Sequence, residues 1–133
     1  MRLLVVWVLG VSLAACSLDV GDDFYFEKVP ARNVQVPENA SLNTDYNLQF
    51  DYHLPDGCYT FYNIDYTVVN DTTRIITPYA RVQNGVNCTQ DTVDSSFTFQ
   101  FTPSVPKTYV FKFWVGTDDE GNDVFETHEL ETD

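Results

Sequence analysis

Residues 46–54 run Tyr46-Asn47-Leu48-Gln49-Phe50-Asp51-Tyr52-His53-Leu54, with an apolar or aromatic residue at every second position and a polar one between. Side chains on extended backbone point alternately to opposite faces, so this period of two describes a strand with one face buried and one wet. The pattern recurs downstream. Phe97, Phe99 and Phe101 alternate with Thr98 and Gln100, and Tyr109, Phe111, Phe113 and Val115 alternate with Val110, Lys112 and Trp114. No stretch carries a helix-period apolar stripe of useful length.

Turn-forming residues separate these runs: Pro37-Glu38-Asn39, Pro55-Asp56-Gly57, Asn70-Asp71, Asn84-Gly85, Pro103 to Pro106, and Asp118-Asp119-Glu120-Gly121-Asn122-Asp123. Each pairs a conformationally special residue with polar neighbours that tolerate solvent. The spacing predicts an all-β domain over 24–133. It would be a single antiparallel β-sandwich of about seven or eight strands, immunoglobulin-like in architecture.

Ahead of that domain, Met1-Arg2 is followed by an apolar run from Leu3 to Leu13 and then Ala14-Ala15-Cys16. One positive charge before a short apolar core is the layout of a secretory signal peptide, and the run is short for a span of ~20 residues. Leu13-Ala14-Ala15-Cys16 looks like a bacterial lipobox. This implies cleavage after Ala15, diacylglycerol on the Cys16 thiol and acylation of the new amino terminus. Residues 1–15 are thus expected to be a signal peptide and 16–23 a lipidated, acidic tether. Several acyl chains on one residue anchor durably where a single chain holds marginally.

The full chain has 7 Lys and Arg against 20 Asp and Glu, a net charge of −13. Phosphate recognition needs clustered cations, so nucleic acid is excluded as an expected partner, as is a polybasic membrane patch. With Cys16 assigned to lipid, Cys58 and Cys88 form an even pair in an exported chain, and a disulfide between them is expected near one end of the sandwich.

Catalytic patterns are weak. His53 and His128 have acids nearby, but no G-x-S-x-G nucleophile motif accompanies them, and both are expected on outward strand faces. Oxygen ligands crowd the loop 118–123, yet counting back from Gly121 reaches Gly116, where an EF-hand needs an acid. No metal site, cofactor or catalytic residue is assigned, and the chain is not expected to be an enzyme; a small hydrolase is the weakest alternative.

The chain resembles a group of small Bacteroidota lipoproteins, chiefly flavobacterial, with no assigned activity to carry over. The likeness rests on the lipobox and acidic tether, Val29-Pro30, Val34-Gln35-Val36-Pro37, Cys58-Tyr59-Thr60-Phe61, Cys88, Phe97-Thr98-Phe99, and the block from Tyr109 to Gly116 followed by 118–123. Pro106-Lys107 departs from it where a glycine-bearing turn is expected. The resemblance implies an outer-membrane lipoprotein, with Asp19, Asp22 and Asp23 similar to a surface-export signal. It also implies O-glycosylation at Asp-Thr triplets, which makes Thr72 and Thr92 candidates.

Aromatic residues supply the remaining signal. Alternation puts Trp114 with Val110 and Lys112, opposite Phe111 and Phe113, and Tyr62 and Tyr66 are expected on an outer face too. Such a face could stack on sugar rings or accept a protein. The expectation is a non-catalytic binding or accessory subunit with an envelope protein or glycan partner. The alternative is a structural envelope component without a specific ligand.

Overall fold

The computed structural model describes residues 23–84 and 87–133. The expected signal peptide over residues 1–15, with Cys16, Asp19 and Asp22, lies outside the described residues. The described residues form nine strands in order: β1 Phe24–Lys28, β2 Arg32–Gln35, β3 Asn39–Ala40, β4 Tyr46–Leu54, β5 Tyr59–Val68, β6 Thr73–Gln83, β7 Val93–Phe101, β8 Tyr109–Thr117 and β9 Asp123–Thr132. They form two packed sheets, a β-sandwich. One sheet joins β1, β3, β5, β6, β8 and β9, and the other runs β2-β4-β7.

The strand count exceeds the expected seven or eight because β1, β2 and β3 are short, separate pieces. Nor is every pairing antiparallel. β6 pairs parallel to β8 through Thr73–Ile76 with Val110–Phe113, and β3 pairs parallel to β9.

β6 organises the larger sheet. One of its edges is filled along its length by β5, interrupted by a bulge at Tyr62. Its other edge is shared: β8 takes Thr73–Ile76 and β1 takes Tyr79–Gln83. Pro78 stands at the changeover. A proline inside a sheet leaves a ladder position without a donor. Here the Pro78 carbonyl accepts from Val29 N at 2.9 Å, and Ala31 N then donates to Trp114 O at 3.0 Å. The chain after β1 thereby bridges β6 and β8 where they diverge.

The core lies between the sheets. Leu48 and Phe50 from β4 meet Phe111 and Phe113 from β8, with Ile76 and Leu130, all fully buried. Phe50 contacts Phe97 and Phe113 at centroid distances of 5.6 and 6.1 Å, and Tyr52 stacks on Phe61 at 4.4 Å. A fully buried ring such as Phe50 or Phe113 contributes ~1.5–3 kcal/mol by leaving water. Tyr109 opens β8 and turns its hydroxyl back to accept from Ser104 N at 3.0 Å and Val105 N at 3.2 Å. The hydroxyl thus ties the turn to the first residue of the strand that follows it. It satisfies the turn before β8 by side chain, so Pro106-Lys107 is accommodated without glycine.

Cys58 and Cys88 are disulfide-bonded, with Cα atoms 5.2 Å apart. The bridge ties the loop after β6 to the start of β5, at one end of the sandwich. Gly57 N donates to Thr89 O at 2.9 Å beside it. A Cβ on Gly57 would collide with Thr89 Oγ1 and come within 3.3 Å of Thr89 N, so the close approach needs glycine. Closing a loop of this span removes denatured-state freedom worth ~3–4 kcal/mol. The Cys58→Ala/Cys88→Ala pair is expected to lose about that much stability in urea unfolding, with the β-sheet circular dichroism signal retained at zero urea.

Candidate functional site

The outward faces of the two sheets differ in chemistry. On the β2-β4-β7 sheet the outward residues of β4 and β7 are polar: Asn47, Gln49, Asp51 and His53 pair with Gln100, Thr98, Ser96 and Asp94. His53 Nδ1 lies 2.7 Å from Asp94 Oδ1, while the Ser96 hydroxyl donates to Asp51 at 2.6 Å. The serine proton is therefore directed to a carboxylate and not to the imidazole, and the two pairs act as separate cross-strand ties. Hydrogen bonds from Ser96 and then Asn33 hold the Asp51 carboxyl below its ordinary range.

The outward face of the larger sheet carries aromatics. β1 pairs with β6 so that Phe24 and Phe26 lie on the same side as Gln83 and Arg81, and Thr60 continues that row onto β5. The bulge on β5 leaves Tyr62 without a cross-strand partner and turns its ring to this side, 4.6 Å from Phe26. Phe24 meets Phe26 edge-on at 5.6 Å, and the Arg81 guanidinium lies 4.0 Å from the Phe24 ring centre. A cation over a ring face is attracted by its quadrupole. Tyr62 is 62% exposed and Phe26 47%. Phe26, Tyr62, Asn63, Ile64, Asp65 and Tyr79 line a shallow, open depression of about 330 Å³. Ring faces stand beside an amide and a carboxylate there, a lining suited to a ligand that is apolar in the middle and polar at its rim.

Of the expected aromatic face, Tyr62 is in place and two residues are not. Trp114 is on the outward side of β8, as alternation requires, but only 7% of it is exposed. Lys28 lies 5.5 Å above the indole, Asp123 Oδ1 accepts its Nε1–H at 2.9 Å, and Lys28 and Asp123 pair at 3.6 Å to roof it. Trp114 is thus a covered ring, tied to its neighbours, where an exposed one was expected. Tyr66 faces inward, 6.1 Å from Phe99 at the flank of the sandwich. The bulge at Tyr62 shifts the phase of β5 by one residue, so Tyr62 and Tyr66 point to opposite sides although four residues separate them. Burial raises the Tyr66 phenol pKa against the influence of Arg74 beside it.

His128 also departs from expectation. It pairs with Phe111 and turns inward, 6.1 Å from the Phe113 ring, with Nε2 3.4 Å from Glu126. β9 places Val124 and Leu130 in one phase and Phe125 in the other, so its alternation does not define an inner side until Leu130 docks. His53 does face outward.

The Asp118 carboxylate is turned to its own loop. Its Oδ1 accepts from Glu120 N and Asn122 N, both at 2.9 Å. The bond from Asn122 leads in holding its pKa below the ordinary value, against a smaller desolvation effect. Among the described residues, Asp56 with Cys58 and Cys88 is a close group of ligand-type side chains, but both sulfurs are spent in the disulfide. Thr92 is exposed ahead of β7, whereas the Thr72 hydroxyl donates to Asn70 Oδ1 at 3.3 Å within the β5–β6 turn.

Phe24, Phe26, Tyr79 and Arg81 were not singled out from the sequence. Phe24-Tyr25-Phe26 held the signal: with three consecutive aromatics, at least one ring must point outward whatever the phase.

Trp114→Ala is expected to cost ~3–5 kcal/mol in chemical unfolding, as for a buried tryptophan and not an exposed one. A second expectation concerns Tyr59, whose phenol hydrogen-bonds Glu27; this bond, then burial, raises its pKa well above the ordinary 10.0. The folded value is raised, so the stabilisation is complete below about pH 10 and drains away as pH climbs towards the folded value. Absorbance titration at 295 nm should show one late tyrosine, which Glu27→Gln returns towards the main group.

No family model, curated protein or solved structure matches this chain.

Proposed function

We propose that this chain is an exported lipoprotein, held to the outer membrane through lipid on Cys16. Its β-sandwich acts as a non-catalytic binding or accessory subunit in an envelope complex, with a protein or glycan partner and no cofactor. The observation that carries the binding role is the exposed cluster of Phe24, Phe26 and Tyr62 around the depression edged by Asn63 and Asp65. Exposed rings packed on one another form a surface from which water is readily displaced, and the polar rim supplies direction. The lipobox-like Leu13-Ala14-Ala15-Cys16 supports the anchor, and the likeness to Bacteroidota lipoproteins supports the location.

Thr92, exposed in a loop, is the better placed of the two O-glycosylation candidates; Thr72 is engaged in its turn. A structural envelope role is the second reading, favoured by the wholly polar outward row of β4 and β7.

The test is crosslinking and affinity capture of the lipoprotein from its native envelope, beside Tyr62→Ala and Phe26→Ala forms. Both side chains are solvent-facing, so melting temperatures should stay close to the wild type. The binding role predicts one defined protein or glycan captured by the wild type and at least tenfold less by either variant. Equal capture by all three forms, restricted to abundant envelope proteins, would shift the assignment to the structural role.

A further inference from the structure

We infer that the outer edge of β7 is a strand-pairing surface and that its occupant is the β7 edge of a second copy of this chain. In the β2-β4-β7 sheet, β7 gives one edge to β4, and no strand among the described residues pairs with the other. Among the described residues, no backbone hydrogen bond from a loop or turn reaches residues 93–101. An unpaired edge is a template for another strand, and folded proteins blunt it with charge, proline, bulges or brevity.

The other outer strands carry such devices. β5 has the bulge at Tyr62 and Asp65, β2 is short, bulged and begins at Arg32, β3 has two residues, and β1 carries Glu27 and Lys28. β7 pairs with β4 through nine residues without a break, and Ser95–Phe101 contains no charge, proline or glycine.

Burial points the same way. The inward residues Leu48 and Phe50 of β4 are fully buried, but Phe97 and Phe99 of β7 remain half-buried and Val93 is exposed. Tyr66, beside Phe99, is also more than a third exposed. A strand laid beside β7 would cover Phe97, Phe99 and the Tyr66 ring.

Charge selects a second copy as the partner. At a net charge of −13 most surfaces of two copies repel. The longest run free of Asp and Glu is Ser95 to Thr117, and of its two strands only β7 lies at a sheet edge, since β8 sits between β6 and β9. Antiparallel pairing of two β7 edges is a twofold, self-complementary contact. It sets inward aromatic residues beside their counterparts and brings Asp94 against Asp94 only where the strands barely overlap.

The experiment is native mass spectrometry of the full chain in detergent over a concentration series, for wild type, Thr98→Lys and Thr67→Lys. Thr98 is on the outward, polar side of β7 opposite Gln49, so lysine fits the monomer while bringing two cations to the twofold contact. Thr67→Lys makes the same change on the β5 edge. Wild type and Thr67→Lys should dimerise alike, Thr98→Lys at least tenfold more weakly, and melting temperatures should agree. A wild type that stays monomeric overturns the inference, and so does Thr98→Lys dimerising as well as the wild type. The result does not depend on Cys16 or the aromatic cluster, so it stands or falls apart from the proposed function.

Discussion

A strand has two edges, and β6 serves three neighbours with them. β5 occupies one edge from Tyr59 to Val68, and the other is divided between β8 and β1 at Pro78. Much of the larger sheet depends on that division. The parallel contact of Thr73–Ile76 with Val110–Phe113 places Phe111 and Phe113 under β4, where the core forms. The antiparallel contact of Tyr79–Gln83 with β1 creates the outward row of Phe24 and Phe26. Without a changeover point, β1 and β8 would compete for one ladder. The missing N–H of Pro78 coincides with the gap between them, and its carbonyl is claimed by Val29.

The same junction separates the aromatic residues by role. Inward rings hold the sheets together: Phe50 packs against Phe97 and Phe113, and Phe101 meets Phe111 edge-on. Outward rings divide again according to what β1 does above them. Lys28, at the end of β1, reaches over Trp114 and pairs with Asp123, so the larger ring system is sealed. Phe24 and Phe26, earlier on the same face of the same strand, have Tyr62 and Arg81 as neighbours and stay open. Burial here follows from the side chains over each ring and not from which face of the sheet it occupies. A buried indole with its N–H satisfied is a stability element; an open cluster of rings is a surface with free energy left to gain from a partner.

The two proposed surfaces lie on different sheets and have different origins. The aromatic cluster exists because a short amino-terminal strand adds two rings to a face that also receives Tyr62 from a bulge. The open edge of β7 exists because, among the described residues, the smaller sheet has three strands with β7 last. One is a face and the other an edge, so a ligand at the first and a strand at the second would not compete for the same atoms.

By itself the sequence determined the fold class, the strand runs of β4, β7 and β8, the turns between them and the pairing of Cys58 with Cys88. These follow from local rules: alternation on extended backbone, turn chemistry, and an even number of cysteines left after Cys16. The tertiary structure decided everything that depends on counting residues across strands. The extra residue at Tyr62 reverses the phase of β5, so Tyr62 and Tyr66 part company. The docking of Leu130 sends His128 inward, and the reach of Lys28 and Asp123 buries Trp114. Alternation states only that neighbouring side chains oppose each other. Which side becomes the core, and what covers the other, is settled by strands distant in the chain.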